Sequence, residues 1–142
     1  MVKQISVFVE NKSGRLAEVT RLLGENNIDI SALSIADTTD FGILRIIVNK
    51  PEEAEKILRE NELTVTITEV IAIAIEDQPG SLARALKFLD NSQIGIEYMY
   101  AFVGKATNEA FVILRTENPQ KAIDVLIKEN IRVLDAKEAY SI

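Results

Sequence analysis

The fold is decided at a turn with the sequence Glu76-Asp77-Gln78-Pro79-Gly80-Ser81-Leu82. An apolar alternation ends before this turn and a helical pattern begins after it, so a glycine stands where a strand passes into a helix. The same arrangement occurs upstream as Glu10-Asn11-Lys12-Ser13-Gly14-Arg15-Leu16, and positions 14 and 80 place the two glycines 66 residues apart. Flanking apolar residues repeat in the same register, for example Ile5 and Ile71. The chain is therefore an internal duplication.

The first repeat predicts four strands and two helices in the order βαββαβ. The predicted strands cover residues 2–10, 28–36, 41–48 and 63–68, and the helices begin after Gly14 and near Pro51. Asn11 or Ser13 is expected to cap the first helix. The apolar phase of the second strand slips by one residue, which predicts a bulge or a bend near Ser31.

The second repeat follows the same plan. It predicts strands at 70–76 and 131 to about 138, a hairpin at 94–116, and helices at 81–90 and 119–129. Two extra residues are assigned to the turn at 104–108, because insertions belong at loop tips. We therefore predict an α+β fold with two ferredoxin-like βαββαβ units, residues 1–68 and 69–142, each an antiparallel sheet with its helices on one face. No linker interrupts the β pattern between residues 64 and 75.

The other face of each sheet is also apolar. Phe8, Phe41, Ile43 and Ile47 point away from the helices of the first repeat if Leu44 points toward them. An apolar sheet face of this extent is normally covered. Sheet-on-sheet packing is expected, either between the two units or between two chains, with two arginines near its rim (Arg45 and Arg115).

Composition limits the functions that the chain can perform. The 142 residues carry a net charge of −6 and no run of Lys or Arg, so direct nucleic-acid binding is not expected. The absence of cysteine and histidine excludes thiol nucleophiles, histidine bases, disulfides and zinc sites built from these residues. No apolar run is long enough to span a bilayer, and the first residues lack a signal-peptide core. We expect a cytoplasmic protein with no cofactor, no metal and no membrane contact.

The sequence resembles the ACT domain, a small-molecule regulatory module attached to many enzymes of amino-acid metabolism. The βαββαβ order and the Asp-x-Pro-Gly-x-Leu pattern at Asp77–Leu82 carry the resemblance, which covers the chain twice, as in stand-alone tandem ACT proteins without a catalytic domain. The resemblance implies that paired units hold an amino-acid effector between the glycine turn of one unit and its neighbour. It further implies a non-enzymatic homodimer that signals to a partner enzyme or regulator of amino-acid metabolism.

The glycine turn also suits such a ligand on physical grounds. A helix N-terminus offers free backbone N–H groups and about half a positive charge, and therefore favours a carboxylate. Asp77 or Asn11 at the strand end would meet the ammonium group of a free amino acid, and related small carboxylates are possible ligands too. The candidate ligand-binding residues are Asn11, Ser13, Gly14, Arg15, Leu16 and Ile28 in the first repeat, and Asp77, Gly80, Ser81, Leu82 and Ile94 in the second. Because Asn11 is neutral, the first site is expected to be weaker or to take a different ligand.

Other interpretations are compatible with the sequence. Glycine occupies many strand-to-helix turns only because no Cβ fits there. Tyr98 and Tyr100 alternate along a strand and belong either to a pocket wall or to a core or interface. The alternative to a ligand sensor is an assembly module that uses the same sheets only to dimerise. An enzyme is less favoured, since no nucleophile with a matching base stands out.

Overall fold

The chain divides into two compact units. The computed structural model describes residues 1–10, 12–37, 40–103 and 108–142. The N-terminal unit comprises Lys3–Thr68 with Ser141, and the C-terminal unit comprises Glu69–Tyr140 with Met1, Val2 and Ile142. In each unit, helices pack on an antiparallel sheet and enclose a hydrophobic core. The predicted α+β fold with two βαββαβ units is therefore confirmed.

The N-terminal unit has the strand order β2-β3-β1-β4. Its elements are β1 (Val2–Glu10), α1 (Arg15–Glu25), β2 (Ile30–Asp37), β3 (Phe41–Val48), α2 (Pro51–Glu60) and the first part of β4 (Thr64–Glu76). The alternation along β1 places Ile5, Val7 and Val9 in the core beneath the helices. The register between β2 and β3 shifts between Ile30 and Ala32, which is the irregularity predicted near Ser31 from the change of apolar phase.

The C-terminal unit has the strand order β7-β4-β6-β5. Its elements are the second part of β4, α3 (Ser81–Asn91), β5 (Ile96–Ala101), β6 (Glu109–Thr116), α4 (Pro119–Lys128), β7 (Arg132–Leu134) and α5 (Ala136–Tyr140). β4 is one uninterrupted strand of 13 residues, as its unbroken β pattern predicts. The two extra residues assigned to the turn at 104–108 concern positions 104–107, which lie outside the described residues.

The C-terminus differs from its prediction. The strand expected from 131 to about 138 ends at Leu134, and the short helix α5 follows. The Asp135 carboxylate accepts a hydrogen bond from the Glu138 N–H at 2.7 Å, and the Glu138 carboxylate accepts one from the Asp135 N–H at 3.2 Å. This reciprocal capping box starts a helical turn and thereby ends the strand.

The two faces of each sheet are both apolar, as predicted. Leu44 joins the helix-side core of the N-terminal unit, whereas Ile47 points to the opposite face and is fully buried. Ile113 is likewise fully buried in the C-terminal unit. Arg45 and Arg115 are half-buried. The packing of one sheet on another remains a prediction.

Candidate functional site

Both glycine turns have the same backbone conformation. Gly14 has φ 88° and ψ −10°, and Gly80 has φ 88° and ψ −12°. A Cβ built on either glycine would meet no heavy atom of the described residues within 4 Å. Both glycines are therefore required by their left-handed φ, at which a Cβ crowds the adjacent backbone, and not by a group packed against the turn.

The helix that follows the first turn begins without a side-chain cap. Gly14 occupies the N-cap, and no side chain of the described residues accepts a hydrogen bond there, so the predicted Ser13 cap is wrong. Asn11, the other predicted cap, lies outside the described residues. The first helical hydrogen bond reaches the Gly14 carbonyl at 2.9 Å, which leaves the N–H groups of Leu16 and Ala17 ahead of it without helical acceptors. This end of α1 retains its partial positive charge.

A cavity of about 480 Å³ lies against this uncapped helix start. It is bounded by the first turn of α1, the end of β1, the end of β2 and the first half of β3. The lining residues are Val9, Glu10, Lys12, Ser13, Gly14, Arg15, Leu16, Ala17, Ile35, Asp37, Gly42 and Leu44. The volume falls within the range of small-molecule sites.

Charged groups of both signs face this cavity. The Lys12 ammonium lies 2.9 Å from the Glu10 carboxylate, and its hydrogen bond, more than its charge, lowers the pKa of Glu10. The Arg15 guanidinium lies 3.1 Å from the Glu18 carboxylate. Exposed pairs of this kind contribute little, so a bound ligand can replace them at small cost. Asp37 adds a second carboxylate at the end of β2.

The cavity also has an apolar wall. Ile35 is 50% exposed and Leu16 is 41% exposed, which is high for side chains of their size. Both lie beside Leu44, which is buried in the core. The site therefore combines a charged rim with an apolar surface, as ligand pockets generally do.

The structure gathers part of the predicted first site. Ser13, Gly14, Arg15 and Leu16 all line the cavity. Ile28 does not, because it is buried in the core and its N–H donates to the Leu23 carbonyl at 2.9 Å.

Two carboxylates outside the predicted site, Glu10 and Asp37, line the same cavity. The pairing of Val9 with Gly42 brings the end of β1 beside the start of β3, and Asp37 also pairs with Gly42. The closeness of these two carboxylates follows from the predicted βαββ order, because the hairpin between β2 and β3 lies next to the end of β1 when β3 pairs antiparallel with β1.

The predicted second site is divided between different surroundings. Asp77 lines a cavity of about 580 Å³ with Glu76, Gln78 and Asn108, whereas Ser81 lines another of about 220 Å³. Leu82 packs against the core. The remaining residues are an exposed turn glycine (Gly80) and a core residue whose N–H donates to a helix carbonyl (Ile94).

The tyrosines of β5 stack on each other. The rings of Tyr98 and Tyr100 lie 6.5 Å apart between centroids at an interplanar angle of 19°, and both side chains are half-buried. Neither tyrosine lines the cavities at the two glycine turns.

The described ranges contain neither a carboxylate cluster for a metal ion nor a membrane-spanning helix. No group of three or more Asp or Glu side chains there is arranged to hold a metal ion. No helix in the same ranges is both long and apolar enough to cross a membrane.

Comparison with known proteins gives a family and several similar structures. A family model described as an ACT domain pair matches residues 1–142. The crystal structure of protein BT0572 from Bacteroides thetaiotaomicron is 45% identical and covers 99% of this chain and 96% of its own, with a TM-score of 0.94. The ligand-free regulatory subunit of aspartate kinase from Thermus thermophilus is 16% identical over 89% of this chain and 90% of its own, with a TM-score of 0.65, and at this identity it indicates the fold alone. No curated protein matches the sequence.

Proposed function

The chain belongs to the ACT domain pair family, and from this premise we propose that it is a non-catalytic regulatory protein whose N-terminal unit binds a free amino acid. The observation that carries the proposal is the uncapped start of α1, which faces a cavity of about 480 Å³ together with two carboxylates. A free amino acid carries a carboxylate and an ammonium group on the same carbon atom. The cavity offers partners for both.

The ligand carboxylate would lie at the helix start. The N–H groups of Leu16 and Ala17 have no helical acceptors, and the helix dipole adds about 0.3 to 1 kcal/mol for an anion. The Arg15 guanidinium lines the same cavity and is able to form charge-assisted hydrogen bonds with a carboxylate.

The ligand ammonium would lie on the opposite side. Glu10 and Asp37 line the cavity from the ends of β1 and β2. The Lys12 contact that lowers the pKa of Glu10 keeps this carboxylate ionised. The ligand side chain would then pack on Ile35 and Leu16, which favours an aliphatic or aromatic amino acid over a charged one.

Regulation requires that the ligand favour one state of the protein over another. A ligand with equal affinity for two arrangements of the protein does not change the equilibrium between them. We infer that the relevant equilibrium is association with a partner enzyme or regulator of amino-acid metabolism, or with a second copy of the chain. Two exposed apolar side chains on β2, Leu33 at 43% and Ile35 at 50%, favour the second candidate function, an assembly module without a ligand.

Ligand-dependent stabilisation separates these candidates. The full chain is melted with each of the twenty amino acids and with their 2-oxo acid analogues. A ligand at about 100 times its dissociation constant adds about 2.7 kcal/mol to the free energy of unfolding, which raises the melting temperature by several degrees. The expected result is a rise with apolar amino acids and a smaller rise with the corresponding 2-oxo acids.

An Asp37→Asn variant locates the ammonium partner. Its matched control is Asp40→Asn, which removes the same charge three residues away at an exposed position outside the cavity lining. The proposal requires that the Asp37 variant lose affinity for the amino acid and not for the 2-oxo acid, while the Asp40 variant keeps both. No stabilisation of the folded wild-type chain by any compound would favour the assembly module.

A further inference from the structure

One strand, β4, belongs to both compact units. The division between the units falls between Thr68 and Glu69, and all 13 residues of β4 (Thr64–Glu76) are in strand conformation. Residues 64–68 form the fourth strand of the N-terminal unit, and residues 69–76 form the first strand of the C-terminal unit. The two units therefore share a single element of secondary structure.

The C-terminal unit holds its part of β4 at the centre of its strand order, β7-β4-β6-β5. Residues 71–76 pair with β6, and residues 72–74 pair with β7 on the other side. Ile71, Ile73 and Ile75 enter the hydrophobic core of this unit. Backbone groups of a strand that is paired on both sides and packed in a core become accessible only when the whole unit opens.

The N-terminal unit holds its part of β4 at the end of its strand order, β2-β3-β1-β4. Of residues 64–68, Val65 alone belongs to the hydrophobic core, and its neighbours Thr66 and Ile67 are exposed. The Arg59 guanidinium of α2 donates a hydrogen bond to the Val65 carbonyl at 2.7 Å. This part of β4 is therefore attached to its own unit by fewer buried side chains than the part that follows.

The duplication shows how a fourth strand is held when it is not shared. In the C-terminal unit this strand is β7 (Arg132–Leu134), and the helix α5 follows it directly. The Arg132 guanidinium lies 2.6 Å from the Glu138 carboxylate of α5, and Leu134 is buried. In the N-terminal unit the chain continues at this point as the second part of β4. The C-terminal unit thus fixes its last strand with its own residues, whereas the last strand of the N-terminal unit is fixed by the strand that the C-terminal unit holds.

We propose that the two units open in a fixed order. The N-terminal unit opens while the C-terminal unit stays folded, but the N-terminal unit does not remain folded when the C-terminal unit opens. A unit of about 70 residues buries only about 60% of the surface of its unfolded chain, so loss of the hold on one strand is sufficient to unfold it. The cavity at α1 lies in the unit that opens first, whereas the order itself requires no ligand.

Hydrogen exchange of single amides in the full chain measures this order. Ile46 and Leu114 are corresponding residues of the two repeats, both are fully buried, and each lies on a strand that is paired on both sides. When exchange follows the opening equilibrium, the rate at each amide reports the fraction of chains that are open there. We expect exchange at Ile46 to be about tenfold or more faster than at Leu114.

A matched pair of core variants tests the direction of the dependence. Leu58 and Leu126 are corresponding core residues, and both are fully buried. Leu58→Ala should accelerate exchange at Ile46 and at Leu114 by the same factor, about thirtyfold or more, because opening of the C-terminal unit includes opening of the N-terminal one. Leu126→Ala should accelerate exchange at Leu114 by a comparable factor and leave Ile46 unchanged, because the N-terminal unit opens with its neighbour still folded.

A milder pair gives the same comparison where an alanine variant is too unstable for measurement. Ile5 and Ile71 are corresponding residues on β1 and β4, and both are buried in the cores. Ile5→Val should accelerate exchange at both amides by about twofold to tenfold, and Ile71→Val at Leu114 alone.

Interruption of β4 tests whether this strand is the link. Two glycines inserted after Thr68 separate the two parts of the strand, and the same insertion after Asp40, between β2 and β3, is the control, because loops tolerate insertions. We expect Ile46 to lose most of its protection with the insertion after Thr68 and to keep it in the control. Leu114 should stay protected in both.

Three results would overturn the inference. If Leu58→Ala and Ile5→Val leave exchange at Leu114 unchanged, the two units open independently. If Ile46 and Leu114 exchange at equal rates in the wild type and Leu126→Ala accelerates both, the chain opens as one unit. If Ile46 is as well protected with the insertion after Thr68 as in the control, β4 does not connect the stability of the two units.

Discussion

Replacement of the two turn glycines tests whether backbone conformation alone requires them. The same three substitutions, to Asn, Ala and Val, are made at Gly14 and at Gly80. A non-glycine residue in the left-handed region costs about 1–2 kcal/mol, and nothing within 4 Å of a built Cβ adds to this cost. Asparagine tolerates the left-handed region better than alanine or valine, and in this chain Asn27 and Asn130 already adopt it, at φ 56° and 62°. We therefore expect losses below about 1 kcal/mol for Asn, about 1–2 for Ala and above about 2 for Val.

The order of the three losses is the decisive result. If lack of space were the reason for glycine, the cost would rise with side-chain volume, and Asn would be worse than Ala. Urea unfolding of each variant gives the free energies, and each kcal/mol corresponds to about 4–8 °C in melting temperature for units of this size. The φ values of Gly14 and Gly80 are identical at 88°, so the two positions should give the same series. An Ala variant more stable than the Asn variant at either position would refute the conformational explanation.

Three further predictions concern single side chains. Thr116 is buried, and its hydroxyl has no hydrogen-bond partner among the described residues. Thr116→Val should therefore raise the free energy of unfolding, measured by urea denaturation, by about 1 kcal/mol. A decrease would show that the hydroxyl is satisfied. Asp135→Ala removes one half of the α5 capping box and should cost about 0.5–2 kcal/mol, while addition of Glu138→Ala should cost less than its own single loss. Because the pKa of Glu10 is lowered, its carboxylate stays ionised, and any stability it gives is retained, as the pH falls below the ordinary glutamate pKa of about 4.3. Amino-acid binding measured by calorimetry should therefore persist to lower pH in the wild type than in Lys12→Gln. Coincident pH profiles of the two proteins would contradict the role of Glu10.

Much of the fold is contained in the apolar periodicity. The alternation of Ile5, Val7 and Val9 fixes which face of β1 is buried, and the repeat transfers this assignment to β4. The register shift at Ile30 and Ala32 was predictable because a change of apolar phase in a paired strand requires a bulge or a bend. Periodicity failed after Leu134, where two polar side chains capped each other and a local hydrogen-bonded motif prevailed over an ambiguous apolar pattern.

The sites were less predictable because they depend on pairing between distant elements. The contribution of Asp37 to the first cavity requires the register of β2 against β3 and of β3 against β1, which no local pattern states. Helix capping was predicted from residue preference alone, and Ser13 does not cap because Gly14 takes the N-cap in a left-handed conformation. Residue preference indicates which side chains are able to cap a helix, whereas the backbone conformation of the turn determines which residue occupies the N-cap.

The duplication separates what the backbone determines from what the side chains determine. Gly14 and Gly80 hold the same φ, and the helix after each begins without a side-chain cap, so the position at which an anion is favoured is a property of the repeated fold. The charges around it differ, because Lys12 pairs with Glu10 in one unit, whereas Glu76 has no cationic partner among the described residues of the other. A carboxylate that is neutralised within its own turn contributes less to ligand binding than one that is left available, since the ligand must first displace the internal partner. The two units of one chain are therefore expected to bind different ligands although their backbones agree, and substitutions at the charged positions should exchange their preferences without altering the fold.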